Sequence, residues 1–225
     1  MPDVAAGGGV VGRLVLVAGA TSASGDAATR ALVGAGARVV AVGRDPERLA
    51  SLSALGAHAE VCDLAEEDDV AALAARLHAA GDRVDGILHL VGGWRGGGGL
   101  SGQTEEDYRF LEHSFSALRF VTRAFADDLA AAGEARLAIV SSTAVERPLA
   151  GGANYAAVKA ASEAWSRAVA QGWAKAARES GEPLRAASVV FRVKSLAGRE
   201  QALAEAYLAL WDVPADAVND TVTTL

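Results

Sequence analysis

Leu14-Val15-Leu16-Val17-Ala18-Gly19-Ala20-Thr21-Ser22-Ala23-Ser24-Gly25 is the stretch on which the fold turns. Five apolar residues in an unbroken run suit a strand buried on both faces. The small residues from Gly19 to Gly25 then make a tight turn into a helix. At such a turn the backbone can approach a pyrophosphate closely, and the helix N-terminus faces the negative charge. A plain tight connection between strand and helix is the alternative reading. Position favours the nucleotide, because the turn follows the first strand of a βαβ unit.

Outward from this unit, short β-rich apolar runs alternate with longer alanine-rich stretches of helical spacing. Strands are expected over residues 14–18, 38–42, 58–61, 86–91, 137–141, 184–192 and 221–225. Helices are expected over 24–35, 46–55, 66–80, 104–132, 153–180 and 197–210. The alternation predicts an α/β fold: one doubly wound, Rossmann-type domain over residues 12–225, with a parallel seven-stranded sheet between helical layers. Residues 1–11, with Gly7-Gly8-Gly9, read as a flexible N-terminal tail, and the glycine-rich 92–102 segment as a mobile loop. Thr104 with Asp107 three residues later marks a capped helix start, and Gly181 with Pro183 marks the end of the long helix over 153–180.

The 225 residues, 51% hydrophobic and 22% charged, suffice for one large domain with a buried core. A formal charge of -7 argues against a nucleic-acid surface, which needs concentrated Lys and Arg. The acidic run 66–69 reads as the first turn of a helix. A single cysteine, Cys62, rules out an internal disulfide and fits a reducing cytoplasm. No stretch has the ~20 apolar residues of a membrane span, and the N-terminus lacks the features of a signal peptide. The expectation is a soluble, cytoplasmic protein with no membrane and no nucleic-acid partner. The four histidines are isolated, so no metal site is expected.

The residues with the chemistry of proton transfer are Tyr155 and Lys159, one turn apart on the fifth expected helix, and Ser142, thirteen residues before the tyrosine. A phenol has a pKa of ~10. An ammonium at i+4 favours phenolate and lowers that value. A serine hydroxyl can hold an oxygen whose charge changes during reaction. Tyr155 and Lys159 can equally be a solvated helix-surface pair, so the rest of the chain decides. At the end of the second strand, where an acidic residue would accept from the adenosine ribose of NAD, stands Gly43-Arg44. A guanidinium suits a 2′-phosphate, which favours NADP over NAD. The competing role for Arg44 is a pair with Asp45 or Glu47.

With these parts in order, the chain resembles the short-chain dehydrogenase/reductase family over about residues 12–190. The resemblance maps the phosphate-binding turn onto Gly19, Thr21, Ser22, Ala23, Ser24 and Gly25, with Ala23 replacing the middle glycine. It maps an adenine-contacting carboxylate and adjacent amide onto Asp63 and Leu64, for which helix capping is the structural alternative. The family's Asn-Asn-Ala-Gly is represented by His89-Leu90-Val91-Gly92, which brings Val91, Gly92 and Gly93 to the cofactor. His89, inside a strand, reads more simply as a sheet-stabilising histidine than as a base. Val91-Gly92-Gly93-Trp94 resembles dihydropteridine reductase members of the family, which makes a pterin-like substrate conceivable.

The catalytic positions implied by the resemblance are Ser142, Tyr155 and Lys159, with Tyr155 and Lys159 also bordering the cofactor and Lys159 contacting the nicotinamide ribose. The implied activity is hydride exchange between NADP(H) and a small carbonyl or alcohol. Ser114 falls where an asparagine usually helps hold a water linked to the lysine. After the sixth strand, Phe191-Arg192-Val193-Lys194-Ser195-Leu196 replaces Pro-Gly and a long substrate loop, so the usual lid is nearly absent. The loop carrying Trp94 and Arg95, or a partner subunit, is the alternative cover. These departures motivate a rival reading, a non-catalytic NADP-binding sensor or scaffold. An acyl hydrolase on Ser142 lacks a strained nucleophile turn and a placed histidine. The resemblance also implies a homodimer or homotetramer paired through the helices over 104–132 and 153–180, although Trp165 and Trp173 can instead lie in the core.

Overall fold

A computed structural model describes residues 9–225. Seven parallel strands form one sheet in the order β3-β2-β1-β4-β5-β6-β7. They are β1 (Leu14–Ala18), β2 (Arg38–Gly43), β3 (His58–Val61), β4 (Gly86–His89), β5 (Ala135–Ser142), β6 (Ala186–Val193) and β7 (Thr221–Thr224). The helices are α1 (Ala23–Gly34), α2 (Pro46–Ser53), α3 (Glu67–Ala79), α4 (Glu105–Ala124), α5 (Ala126–Ala131), α6 (Ala153–Ser180), α7 (Glu200–Ala209) and the short α8 (Ala215–Val218). The order reverses between β1 and β4. A doubly wound sheet opens its ligand crevice at that point, outside the C-terminal ends of the strands.

Alternate strand residues feed two apolar layers. Leu16, Ile87, Leu137 and Val190 face Leu73, Leu118 and Phe125 on the side of α3, α4 and α6. Val17, Leu88, Ala138 and Val189 face Leu32, Leu49, Leu203 and Trp211 on the side of α1, α2 and α7. Every residue of β1 and β5 is buried, which explains why β1 and residues 137–140 of β5 read as continuous apolar runs.

Several expected bounds need correction: β4 ends two residues early, β6 starts two residues late and α7 starts three residues late. Two further differences have a clear cause in packing. The helix over 104–132 is two helices, α4 and α5, parted at Phe125 (φ -109°, ψ 15°). The break lets Phe125 be wholly buried and turns Asp128 inward, where its carboxylate accepts from the Val84 amide at 3.0 Å. Strand β5 begins two residues earlier than expected, because Arg136 is fully buried within it. Its guanidinium donates to the carbonyls of Leu210, Ala135, Arg185 and Val213 at 2.7–3.2 Å, so the charge is compatible with the interior.

The helix caps follow the sequence closely. Thr104 accepts from the Asp107 amide at 3.1 Å, and Gly181 ends α6 in the left-handed region (φ 71°). Residues 1–8 of the expected tail lie outside the described residues. Val10 is buried against the α1 side of the sheet, and the Gly12 amide donates to Gly36.

Candidate active site

The glycine turn closes β1 onto α1. Gly19 has φ +85°, and a Cβ there would lie 3.1 Å from the Leu90–Val91 backbone. At Gly25 a Cβ would stand 2.5 Å from Ala20, so any side chain would push α1 off the turn. Ser22 caps α1, accepting from the Gly25 amide at 3.0 Å and donating to the Gly19 carbonyl at 2.9 Å. The amides of Ala23 and Ser24 have no acceptor among the described residues. Ala23 is exposed, so its methyl leaves the backbone open where the family has glycine. Free amides at the positive end of a twelve-residue helix fit a pyrophosphate.

Two cavities meet here, sharing Ser22, Leu90, Val91 and Gly92. The smaller, about 290 Å³, is lined by Gly19, Thr21 and Ser22 of the turn, Arg44 after β2, and Asp63 and Leu64 after β3. The larger, about 1090 Å³, receives Ala23 and Ser24 from the start of α1, Gly93 and Trp94 from the loop after β4, and Ser142, Tyr155 and Lys159. Together they form one crevice across the reversal of strand order. Gly25 lies behind it as a packing residue.

At the smaller cavity Arg44 meets Asp63 at 3.5 Å rather than Asp45 or Glu47. Both groups are solvent-accessible, and such a pair contributes ~0–1 kcal/mol, so it leaves the guanidinium free to bind an anion. Asp63 accepts from the Ala65 amide at 3.0 Å and caps a turn rather than α3, which starts after Glu66. Arg48 was missed by sequence reasoning, although it lies one helical turn beyond Arg44. Its guanidinium reaches the Thr21 carbonyl at 3.3 Å and lines the same cavity. Gly43 has no room for a larger residue, since a Cβ would meet the Thr21 side chain at 2.7 Å.

Ser142 ends β5, 5% exposed, with its hydroxyl accepting from the Ala144 amide at 3.1 Å. Tyr155 and Lys159 stand in the first two turns of α6, and the Lys159 ammonium lies 5.9 Å from the Tyr155 ring centre. Lys159 donates to the Val140 carbonyl at 2.8 Å. Burial lowers its pKa from 10.5 to about 8, partly offset by Glu163 one turn on. The expected depression of the Tyr155 pKa is absent: burial raises it, with only the Ser142 hydroxyl acting the other way. The ammonium has turned toward the strand end instead of the phenol.

Ser114, 8% exposed, donates to the Leu111 carbonyl of its own helix at 2.7 Å. A serine is too short to leave the helix, so it does not reach toward Lys159. Its main-chain carbonyl is bonded by His89 Nε2 at 3.1 Å. Behind Lys159, Glu163 is gripped by Arg192 on β6 at 2.6 and 2.8 Å and by the Ser141 hydroxyl at 2.6 Å, locking α6 to the ends of β5 and β6.

The chain runs from β6 into α7 through six residues, with no long substrate loop. The glycine-rich loop, expected to be mobile, is clasped. Gly97 donates to Gly151 at 2.7 Å, and the Gln103 amide nitrogen donates to Gly97, Gly99 and Gly151 at 3.0–3.3 Å, while its oxygen accepts from the Asn154 amide. Gly97, Gly151, Leu149 and Trp94 thereby wall the larger cavity, with Arg147 and Lys194 also lining it.

A parallel doubly wound sheet with a glycine turn at its switch point defines a dinucleotide-binding α/β protein. The short chain dehydrogenase profile matches residues 13–177, and the chain belongs to that family of oxidoreductases. A Streptomyces protein named as a daunorubicin C-13 ketoreductase is 43% identical over 93 residues, 38% of this chain. The chain spans only 32% of that relative's length. Among solved structures, one described as a short chain dehydrogenase from Pseudomonas syringae has a TM-score of 0.84 at 22% identity, covering 96% of this chain and 95% of that one. The Pseudomonas aeruginosa RhlG complex with NADP has a TM-score of 0.81 at 20% identity, covering 96% of each chain. A gluconate 5-dehydrogenase from Burkholderia cenocepacia, solved with NADP and tartrate, has a TM-score of 0.78 at 20% identity, covering 96% and 94%. The overall fold is thus shared with them.

Proposed function

We propose that this chain exchanges hydride between NADP(H) and a carbonyl or alcohol, with Tyr155 as the proton donor and acceptor. The observation that carries the reading is the convergence of Ser142, Tyr155 and Lys159 on one wall of a cavity continuous with the glycine turn. The unengaged amides of Ala23 and Ser24 would receive the pyrophosphate, and Arg44 with Arg48 would receive the 2′-phosphate. Asp63 and Leu64 would hold the adenine, and Val91, Gly92 and Gly93 would line the dinucleotide's path toward the substrate cavity. The dinucleotide, when bound, supplies or accepts the hydride.

In the reducing direction Tyr155 donates its phenolic proton to the substrate oxygen. A high phenol pKa suits that role, because the proton is present at neutral pH. Ser142 hydrogen-bonds the same oxygen, and Lys159 supports the charge left on Tyr155 while holding the ribose. Ser114 acts only as packing behind Lys159. The substrate is a small carbonyl or alcohol compound, and its walls of Trp94 and Leu149 with Arg147 and Lys194 at hand suit an apolar molecule bearing a polar or anionic edge. The chain acts as a homodimer or homotetramer in the cytoplasm. A non-catalytic sensor keeps the cofactor crevice but has no use for the three side chains.

Tyr155→Phe tests this directly. Turnover of NADPH with ketones, quinones and pterins falls below detection, while NADPH affinity by fluorescence titration stays within about twofold, since the lost hydroxyl touches substrate and not the phosphates. Full turnover by the variant contradicts the assignment.

A further inference from the structure

His89 ends β4 facing α4 and α6, and it is 5% exposed. Its Nε2 lies 3.1 Å from the Ser114 carbonyl, which can only accept, so Nε2 carries the proton. Nδ1 is then a bare acceptor, and it has no partner among the described residues. Buried acceptors are almost always bonded, and one left over asks for a donor. Lys159 is the donor at hand. In the sheet His89 pairs with Ile139, and the next residue, Val140, holds the Lys159 ammonium through its carbonyl. Gly92, three residues after His89, brings the same two elements together: a Cβ there would lie 3.5 Å from Lys159 Nζ and 3.9 Å from Ser114 Cβ. The ammonium has three N–H groups and Val140 takes one.

We propose that His89 is a positioning residue for Lys159, its unprotonated Nδ1 accepting from the ammonium through a shared water and holding the charge beside Tyr155. This rests on the reading of Tyr155 and Lys159 as the proton-transfer pair. The imidazole remains neutral in that place, since burial and then the Lys159 charge push its pKa down to about 3. Neutrality is what the role requires: an imidazolium has no lone pair to offer and repels the ammonium. Lys159 is the charged side chain acting on His89, and Lys159 itself is flanked on α6 by Tyr155 and by Glu163, the latter neutralised by Arg192 of β6. Ser114, turned back onto Leu111, leaves this place to the imidazole.

Two readouts test it. In the full chain labelled with 15N-histidine, and assigned with His89→Gln, His89 is expected as the neutral Nε2–H tautomer from about pH 6 to about pH 9. Lys159→Met should then move the Nδ1 resonance toward that of an unbonded imine nitrogen and leave Nε2 in place. An Nδ1–H tautomer, or an Nδ1 signal indifferent to Lys159→Met, overturns the proposal. In turnover, His89→Leu removes the acceptor that favours the ammonium, so the alkaline limb of kcat/KM moves down by about one pH unit. His89→Gln keeps an acceptor and restores the limb, whereas an unshifted His89→Leu profile in a folded variant overturns the proposal. The NMR arm needs no activity, so a chain that turns over nothing refutes the oxidoreductase reading and still leaves the His89 result decided.

Discussion

Burial of the Lys159 side chain has two consequences. Burial holds Lys159 at about 8 in the folded chain against 10.5 when exposed, so it is cationic below pH 8 and neutral above it. If the cation supports Tyr155, kcat/KM for reduction falls on the alkaline side of about pH 8. The unfolded chain keeps this proton up to the ordinary lysine value, so the contribution to stability rises with pH between 8 and 10.5, and the penalty is complete below 8. Lys159→Met therefore raises Tm at neutral pH, and its advantage shrinks through that window. An advantage that is equal at pH 7 and pH 10 contradicts the burial argument. Arg44 and Arg48 make a second residue-scale case. A charge-assisted bond to phosphate contributes about 1.5–3 kcal/mol, so Arg44→Ala or Arg48→Ala raises KM for NADPH roughly tenfold or more. The KM for NADH should not change. Equal effects on both cofactors would place the guanidiniums away from a 2′-phosphate.

Among the elements, the most informative is the loop between β4 and α4. Its composition reads as freedom, yet Gln103 just before α4 and Gly151 just before α6 hold it across the larger cavity. Gln103→Ala removes bonds of about 1 kcal/mol net in sum, which corresponds to roughly a fivefold rise in substrate KM with kcat and the NADPH KM little changed. Deleting residues 96–99 should act in the same direction and more strongly. A substrate KM that ignores both changes would show that the loop is no cover for the site. The division of α4 from α5 teaches a related point. Helical periodicity runs through Phe125, but the need to bury that ring and to aim Asp128 at Val84 outweighs about one turn of continuous helix.

For the whole molecule, the sheet is pinned by contacts far apart in sequence. Gly86 opens β4 beneath α7 and the turn after it, where a Cβ would meet the Trp211 ring and the Tyr207 hydroxyl at 2.6 Å. Both aromatic side chains are fully buried, so they have no room to retreat. Gly86→Ala is expected to lower stability by about 1–3 kcal/mol, seen as a lower urea midpoint at unchanged slope. An unaltered midpoint would mean that this corner of the fold is looser than its packing implies.

The strand and helix order, the glycine turn, the spacing of Ser142, Tyr155 and Lys159, and Gly43-Arg44 were legible in the chain, because each follows from local pattern. Apolar runs, capping residues and i,i+4 spacing act over a few residues and survive without any partner. Where charged and polar groups turn once those elements pack was settled by contacts distant in sequence. Lys159 bonds the end of a neighbouring strand, Ser114 folds back onto its own helix, Arg48 joins Arg44, and Arg136 draws on four carbonyls from three parts of the chain. Those choices are set by burial and by the nearest available partner in space, and neither quantity is written in the order of residues.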